Sequence, residues 1–428
     1  MRFGVFFELQ LPKPWTENAE RDLFHEALEQ AECADRIGVD YLWAQEHHFL
    51  EEYSHSSAPE VFLAACSQRT SRIRLGHGIA LMPPGYNHPA RVAEKIAALD
   101  LVSNGRVEWG TGESSSRVEL EGFGLEYAEK RAMWAEATRE TARMMACTPY
   151  PGHQGRYFSM PVRNIVPKPV QRPHPPLWMA CSNREALRLA ARLGVGALTF
   201  AFMDHREARY WVEEYYEIFD RECVPIGLDV NPNVAMLCGF SCGRDGERAR
   251  ALATEGQQFF AYGLSHYFRT GTHRPGTTEL WDEFAGSPRQ PMAGMGGIGS
   301  VEEVTEVFAE FEDSGVDQVI LLQQGGRYRH PDVIDSLELF GAEVLPAFRE
   351  RAAAAEEAKA KRLADAVARA RERIDAPAPA VVPEVEAYPS MWQRASNTAE
   401  VVGPDRSVNA AALWRLHAGR RATGDGDR

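Results

Sequence analysis

Several things are scarce in this 428-residue chain. No apolar run approaches the roughly 20 residues of a membrane span, and the first residues, Met1-Arg2-Phe3-Gly4-Val5-Phe6-Phe7-Glu8, lack the layout of a secretion signal. They read as a strand that begins at once. Basic charge is short: 47 Lys and Arg stand against 61 Asp and Glu, a formal net charge of -14. That balance argues against nucleic acid or an anionic membrane surface as a partner. The seven cysteines include no C-x-x-C pair, and Cys238 and Cys242 lie four apart in a strand-like run, a poor geometry for a metal. The expectation is a cytoplasmic protein with reduced, buried thiols and no bound metal. A G-x-G-x-x-G loop is also missing after the first strand, where Glu8-Leu9-Gln10-Leu11-Pro12 stands instead. This disfavours an open, doubly wound dinucleotide-binding sheet.

What is present is a repeat of alternating patterns. Strand-like runs cover 2–8, 41–45, 73–81, 106–112, 176–181, 196–200, 233–242 and 318–326, most of them followed by a stretch of helical periodicity. Eight such alternations over some 350 residues predict a parallel (β/α)8 barrel spanning 1–350. One segment breaks the rhythm. Gly263 to Gly299 holds Pro275, Pro288 and Pro291, many glycines, and Tyr267, Phe268, Trp281 and Phe284. A connection of that length before the last strand predicts an active-site lid. Beyond the barrel the sequence predicts a solvated helix over 351–375, with Leu363, Val367 and Ile374 as a thin apolar stripe. A Pro/Ala linker and tail follow over 376–428, in which Tyr388, Met391, Trp392, Leu413 and Trp414 could dock on a neighbour.

Chemistry in such a barrel collects at the C-terminal ends of the strands. Three ends are unusual. The second strand, Tyr41-Leu42-Trp43-Ala44-Gln45, runs into Glu46-His47-His48. The fourth runs into Gly112-Glu113 and three serines. After the fifth, Cys181-Ser182-Asn183-Arg184 opens a helix whose free N–H groups suit an anion such as a cofactor phosphate. A metal-dependent hydrolase would want Glu46, His47 and His48 on one ion, but neighbours on a strand point to opposite faces.

From Met1 to about Phe348 the chain resembles the bacterial luciferase-like, flavin-dependent monooxygenases. The resemblance is carried by Met1-Arg2-Phe3-Gly4, Glu46-His47-His48-Phe49, Leu75-Gly76 leading to Pro83 and His88-Pro89-Ala90-Arg91, Leu99-Asp100 with Ser103-Asn104-Gly105-Arg106, and Gly299 with Glu302-Glu303. It implies reduced FMN, supplied by a separate reductase, and O2 acting through a flavin hydroperoxide on a small organic substrate, in a protein that is a homodimer. His47 would be the catalytic acid or base, supported by Glu46 and His48. Gly78 and Ile79 would form a non-proline cis peptide against the flavin. Gly112, Glu113, Cys181, Ser182, Asn183 and Arg184 would surround the cofactor. Luciferases proper have a cysteine followed by an arginine at Gly112-Glu113 and a glutamate at Cys181. Phosphate binding here would therefore lean on the helix amides with Arg184. Two other readings remain open: a deazaflavin-dependent hydride-transfer enzyme of the same fold, and a non-catalytic flavin-binding subunit. The aromatic residues Trp43, Trp109, Phe200 and Phe202 suggest an apolar or aromatic substrate.

Overall fold

The computed structural model describes residues 1–200, 202–288 and 296–385. Eight parallel strands close on themselves: β1 (Arg2–Phe7), β2 (Tyr41–Ala44), β3 (Arg74–Leu81), β4 (Val107–Gly112), β5 (Leu177–Cys181), β6 (Gly196–Thr199), β7 (Val234–Gly243) and β8 (Gln318–Leu322). Each pairs with the next, and β8 returns to β1 with Arg2 opposite Gln318 and Phe3 opposite Val319. The (β/α)8 barrel is thus formed. The strands are nearly all apolar because both their faces are covered.

The two faces have different jobs. Phe6, Trp43, Trp178, Leu198, Ala235, Leu237, Ile320 and Leu322 point inward and fill the lumen. Phe3, Val5, Phe7, Leu42, Ala44 and Leu75 point outward against the helices. The helices are α1 (Ala19–Ile37), α2 (Pro59–Arg69), α3 (Pro89–Val102), α4 (Lys130–Ala146), α5 (Arg184–Arg192), α6 (His205–Glu222), α7 (Gly246–Ser265), α8 (Val301–Asp313), α9 (His330–Glu343) and α10 (Leu345–Glu372). Their ends follow local chemistry. Gly38 closes α1 at φ +97°, a left-handed conformation that favours glycine. Ser300 and Glu303 form a reciprocal capping box at the start of α8.

The structure adds local detail to the sequence reading and shortens one strand. β8 stops at Leu322 rather than running to Gly326: Gln323 turns back to accept from the Phe6 N–H at 2.9 Å, and Gly326 enters the left-handed region at φ +52°. The segment expected as a lid is packed at its aromatic positions and exposed over most of 269–277. α7 passes into one π-helical turn, His266–Thr270, and a short helix, Leu280–Ala285, follows. Tyr267, Leu280, Trp281 and Phe284 are buried, and Glu52 accepts from the N–H groups of Lys13, Leu280 and Trp281 at 2.7, 2.5 and 3.2 Å. The segment ends in a strand, Gly297–Ser300, paired parallel with β7. Residues 289–295, including Pro291, lie outside the described residues.

The last helix among the described residues, α10, begins at Leu345 and lies across the N-terminal end of the barrel. Leu345, Phe348, Ala352, Leu363, Ala366 and Ala370 are buried. Arg2 at the start of β1 pairs with Glu356 at 2.6 Å, and Lys359 pairs with Asp317, just before β8, at 2.8 Å. Residues 381–428 form a separate unit, of which 381–385 are described and carry no regular secondary structure. The candidate docking residues Tyr388 to Trp414 fall outside the described part. Among the described residues no helix is long and apolar enough to cross a membrane, no cluster suits a metal, and no two cysteines form a disulfide.

Candidate active site

β1 and β2 run side by side, with Phe6 opposite Trp43, both facing the lumen. Side chains alternate along a strand, so Glu8, two residues past Phe6, continues that inward line to the rim. Gln45 and His47, two and four residues past Trp43, do the same. All three line a cavity of about 530 Å3 at the C-terminal end of the barrel.

His47 lies between two carboxylates. Its Nδ1 is 3.1 Å from Glu119 Oε1, and its Nε2 is 3.5 Å from Glu8 Oε1. Its own N–H is fixed by the Ser56 carbonyl at 2.9 Å. Burial alone would push the imidazole down, but Glu8 and Glu119 outweigh it and lift His47 to about 9. Burial pushes the Glu8 carboxyl up to about 7 against the pull of His47. Glu119 behaves the other way: burial would raise it, yet His47, the Ser114 hydroxyl and the His48 N–H hold it below the usual carboxylate range. The ion pair is therefore His47–Glu119, and Glu8 is the acid poised near neutrality. Tyr53 and Phe268 wall the imidazole, their ring centroids 6.0 and 5.8 Å away.

Glu46 and His48 fall on the other side of the chain and do not line the cavity. Glu46 accepts from the Leu81 N–H at 2.6 Å and from Asn87 at 2.9 Å, which ties β2 to the end of β3. His48 stacks on Tyr86 and packs edge-on against Phe123, with Nε2 3.3 Å from Glu46. They are the scaffold under the loop that presents His47.

The β3 edge is irregular. Its register against β4 shifts between His77 and Ala80, which turns Ile79 into the cavity. Every cis peptide among the described residues precedes a proline, so the Gly78–Ile79 bond is trans, contrary to the expectation; the bulge does the re-aiming. Gly78 itself stays behind Gln45: a Cβ there would lie 2.1 Å from the Gln45 amide nitrogen. Both side-chain amide atoms of Gln45 are buried and lack a partner among the described residues.

A second group of residues comes from β4, α4 and β5. Glu113, past the end of β4, pairs with Lys130 at 2.7 Å and Arg131 at 2.8 Å. Lys130 also donates to the Ser114 carbonyl and the Ser115 hydroxyl at 2.7 and 3.0 Å. Glu113 thus gathers two cations where the sequence alone suggested a deficit. Gly112, Ser115, Ser182 and Asn183 line the same wall. Asn183 caps α5 by accepting from the Ala186 N–H at 2.9 Å, leaving the other first-turn N–H groups for an anion.

Two expected cofactor residues are elsewhere. Arg184 is drawn away by Glu214 on α6, at 2.5 Å, and does not line the cavity. Cys181 is buried behind it, its thiol pushed up to about 12 by burial. The cavity therefore brings together His47, Ile79, Gly112, Glu113, Ser182 and Asn183, and leaves out Glu46, His48, Gly78, Cys181 and Arg184. It adds Glu8, Gln45, Tyr53, Lys130 and Arg131, and behind His47 the buried Glu119. Glu119 sits on a six-residue helix, Arg117–Gly122, and the spacing Ser116-Arg117-Val118-Glu119 has the form of a capping box that would have marked this helix. The glutamate turns to His47 instead.

A closed parallel barrel with a buried acid–imidazole cluster in a cavity at its strand ends defines a barrel enzyme. A family profile described as luciferase-like monooxygenase matches residues 1–318, and the chain belongs to that family. The oxygenase component of a flavin-dependent trigonelline monooxygenase from Acinetobacter baylyi is 26% identical over 273 residues, 61% of this chain and 71% of that one. Among solved structures, a type II Baeyer-Villiger monooxygenase matches with TM-score 0.63 at 21% identity, over 81% of this chain and 98% of that one. It is the oxygenating constituent of 3,6-diketocamphane monooxygenase from Pseudomonas putida, in complex with FMN. An F420-dependent secondary alcohol dehydrogenase matches with TM-score 0.62, also at 21% identity, over 81% of this chain and 98% of that one. At such identity these two show the fold alone. The chain spans about half the length of two uncharacterized relatives from Sinorhizobium fredii, 54% and 50%.

Proposed function

We propose that this protein is a monooxygenase that uses reduced FMN and O2 on a small organic substrate, with the reduced flavin delivered by a separate reductase. The observation that supports this most is the division of the cavity. On one side stand a buried imidazole, a neutral-range carboxyl and an amide whose donor and acceptor are both unpartnered. On the other stand Lys130, Arg131 and the start of α5. An amide–imide ring edge fits Gln45, and a phosphate fits the cationic wall. Reduced FMN, when bound, supplies the electrons that activate O2.

The chain's own residues do the rest. Gln45 orients the ring edge. Ile79 and Gly112 would line the space beside it, and a Cβ on Gly112 would press on Ile79 at 2.7 Å. Tyr53, Phe200, Phe260 and Phe268 keep that side of the cavity dry. His47, cationic at neutral pH, stabilises negative charge that develops beside it. The absence of a nicotinamide fingerprint, and a relative named as an oxygenase component, favour a two-component system.

Replacing His47 with Ala should leave FMN binding intact and cut product formation by about 100-fold or more. Stopped-flow oxygen uptake with reduced FMN, alongside a flavin titration, measures both. Normal turnover in the variant removes His47 from its role. Tighter binding of reduced deazaflavin than of reduced FMN, with no oxygen uptake, assigns hydride transfer instead. Flavin binding with neither activity assigns a binding subunit.

A further inference from the structure

Glu8 is 2% exposed, and its Oε1 accepts no hydrogen bond from any described residue. Its one close charge partner among the described residues is His47 at 3.5 Å, and a buried carboxyl whose hydrogen-bonding capacity is left unused is costly unless something else engages it. We propose that Glu8 is a catalytic residue of this cavity: its carboxyl exchanges a proton with the substrate, and His47 is the positioning cation that holds it there. The proposal rests on reading the cavity as an oxygenation site.

The geometry around the imidazole carries the argument. Each ring nitrogen already faces a carboxylate, Nδ1 toward Glu119 at 3.1 Å and Nε2 toward Glu8 at 3.5 Å. Glu119 is fixed from behind by the Ser114 hydroxyl and by the His48 N–H at 2.8 Å, so the ring has no other orientation to adopt. His47 and Glu8 stand side by side in the wall of the cavity, so a molecule there meets the imidazolium and the carboxyl together. The backbone beneath is held too: the Ser54 hydroxyl donates to the Glu8 carbonyl at 2.8 Å, and Leu9 beyond it is left-handed at φ +56°.

The charged groups that face Glu8 are His47, from the end of β2, and Glu119, from the helix after β4. Glu46 also acts on His47. His47 favours the ionised carboxyl, whereas burial and Glu119 oppose it. The result is a carboxyl that changes state near neutral pH, beside an imidazole that does not.

The step is a simple proton transfer. A substrate O–H bond breaks, a new O–H bond forms on the Glu8 carboxylate, and the electron pair stays on the substrate oxygen. The carboxyl returns the proton once oxygen has been transferred. Such a base is of use to a substrate that becomes nucleophilic on losing a proton. Phe200, Phe260, Phe268 and Tyr53 wall the space beside it. The substrate class that fits both is a hydroxylated aromatic compound, a phenol.

The test uses Glu8→Gln in the full chain, which keeps the shape and cannot titrate. FMN affinity should be unchanged, kcat on phenolic substrates should fall by about 100-fold or more, and the limb of the kcat–pH profile near neutrality should vanish. His47→Asn should keep the limb but move it to higher pH, because the cation that favours ionised Glu8 is gone. The methyl ether of a phenolic substrate should turn over equally slowly in wild type and Glu8→Gln. An activity-free readout accompanies these: the infrared difference spectrum of the protein between about pH 6 and pH 8 should show a carboxyl band that Glu8→Gln lacks. Wild-type turnover and pH profile in Glu8→Gln, or persistence of that band, overturns the role of Glu8. A wild type that binds no flavin overturns the functional reading as well, and the flavin titration tells the two failures apart.

Discussion

His47 is held by charge more than by packing, and this gives its stability contribution a pH window. Its pKa in the folded protein, about 9, lies above the ordinary 6.5. The gain from the imidazolium is therefore complete below the ordinary value and is lost as pH rises through about 9. Glu8 adds to the same slope earlier, because a carboxyl raised from 4.5 to about 7 resists ionising, and the fold loses stability as pH climbs between those values. Urea unfolding should show wild-type stability declining across both windows. His47→Gln should flatten the upper one and cost about 3 kcal/mol at neutral pH, since Glu119 is left buried and ionised without its cation. If the two proteins decline in parallel above neutrality, the His47–Glu119 pair is not what carries the slope.

At the scale of elements, the site is assembled by strand ends that approach each other closely. Gly110 on β4 is the tightest point: a Cβ there would meet the His77 carbonyl oxygen at 2.0 Å and the Gly78 oxygen at 2.9 Å, both backbone atoms that cannot swing aside. Gly110→Ala should lower the urea midpoint by the equivalent of about 3 kcal/mol and weaken FMN binding, because the β3 bulge that aims Ile79 must shift. A variant with wild-type stability and affinity would mean that the bulge relaxes freely. These elements also show what could be read in advance. The eight alternations were legible because each strand is an unbroken apolar run with its own crossover. Inward-facing His47 was legible from its position at the end of such a run. By the same alternation Glu8 could have been found, as a charge two residues past Phe6. Glu119, Lys130 and Arg131 could not be placed. The first sits on a six-residue helix with little periodicity, and the cations begin α4, reaching the cavity only through tertiary contact with Glu113. Arg184 misled for the complementary reason: a helix start says nothing of a competing carboxylate on the next helix.

At the scale of the molecule, the barrel is a closed ring with α10 lying across its N-terminal end. Phe3 on β1 packs against Phe308, Phe340 and Phe348, at centroid distances of 5.2, 5.1 and 5.3 Å, so α10 completes a cluster that α8 and α9 begin. Ion pairs tie α10 to the barrel, among them Arg2–Glu356, Lys359–Asp317, Arg369–Asp220 and Arg371–Asp229. Three of them involve well-exposed side chains and add little. The buried side chains decide. Burying Leu345, Phe348 and Leu363 at about 2 kcal/mol each contributes roughly 6 kcal/mol, which is comparable with the 5–15 kcal/mol by which a whole domain is stable. A chain ending at Val344 should therefore be insoluble or melt far below the full protein. A chain ending at Ala380, which keeps α10, should melt at the wild-type temperature and bind flavin with wild-type affinity. Differential scanning calorimetry on the two truncations measures the contrast. Equal melting of both would show that the barrel closes without its helix, and that the Phe3 cluster tolerates water at its open edge.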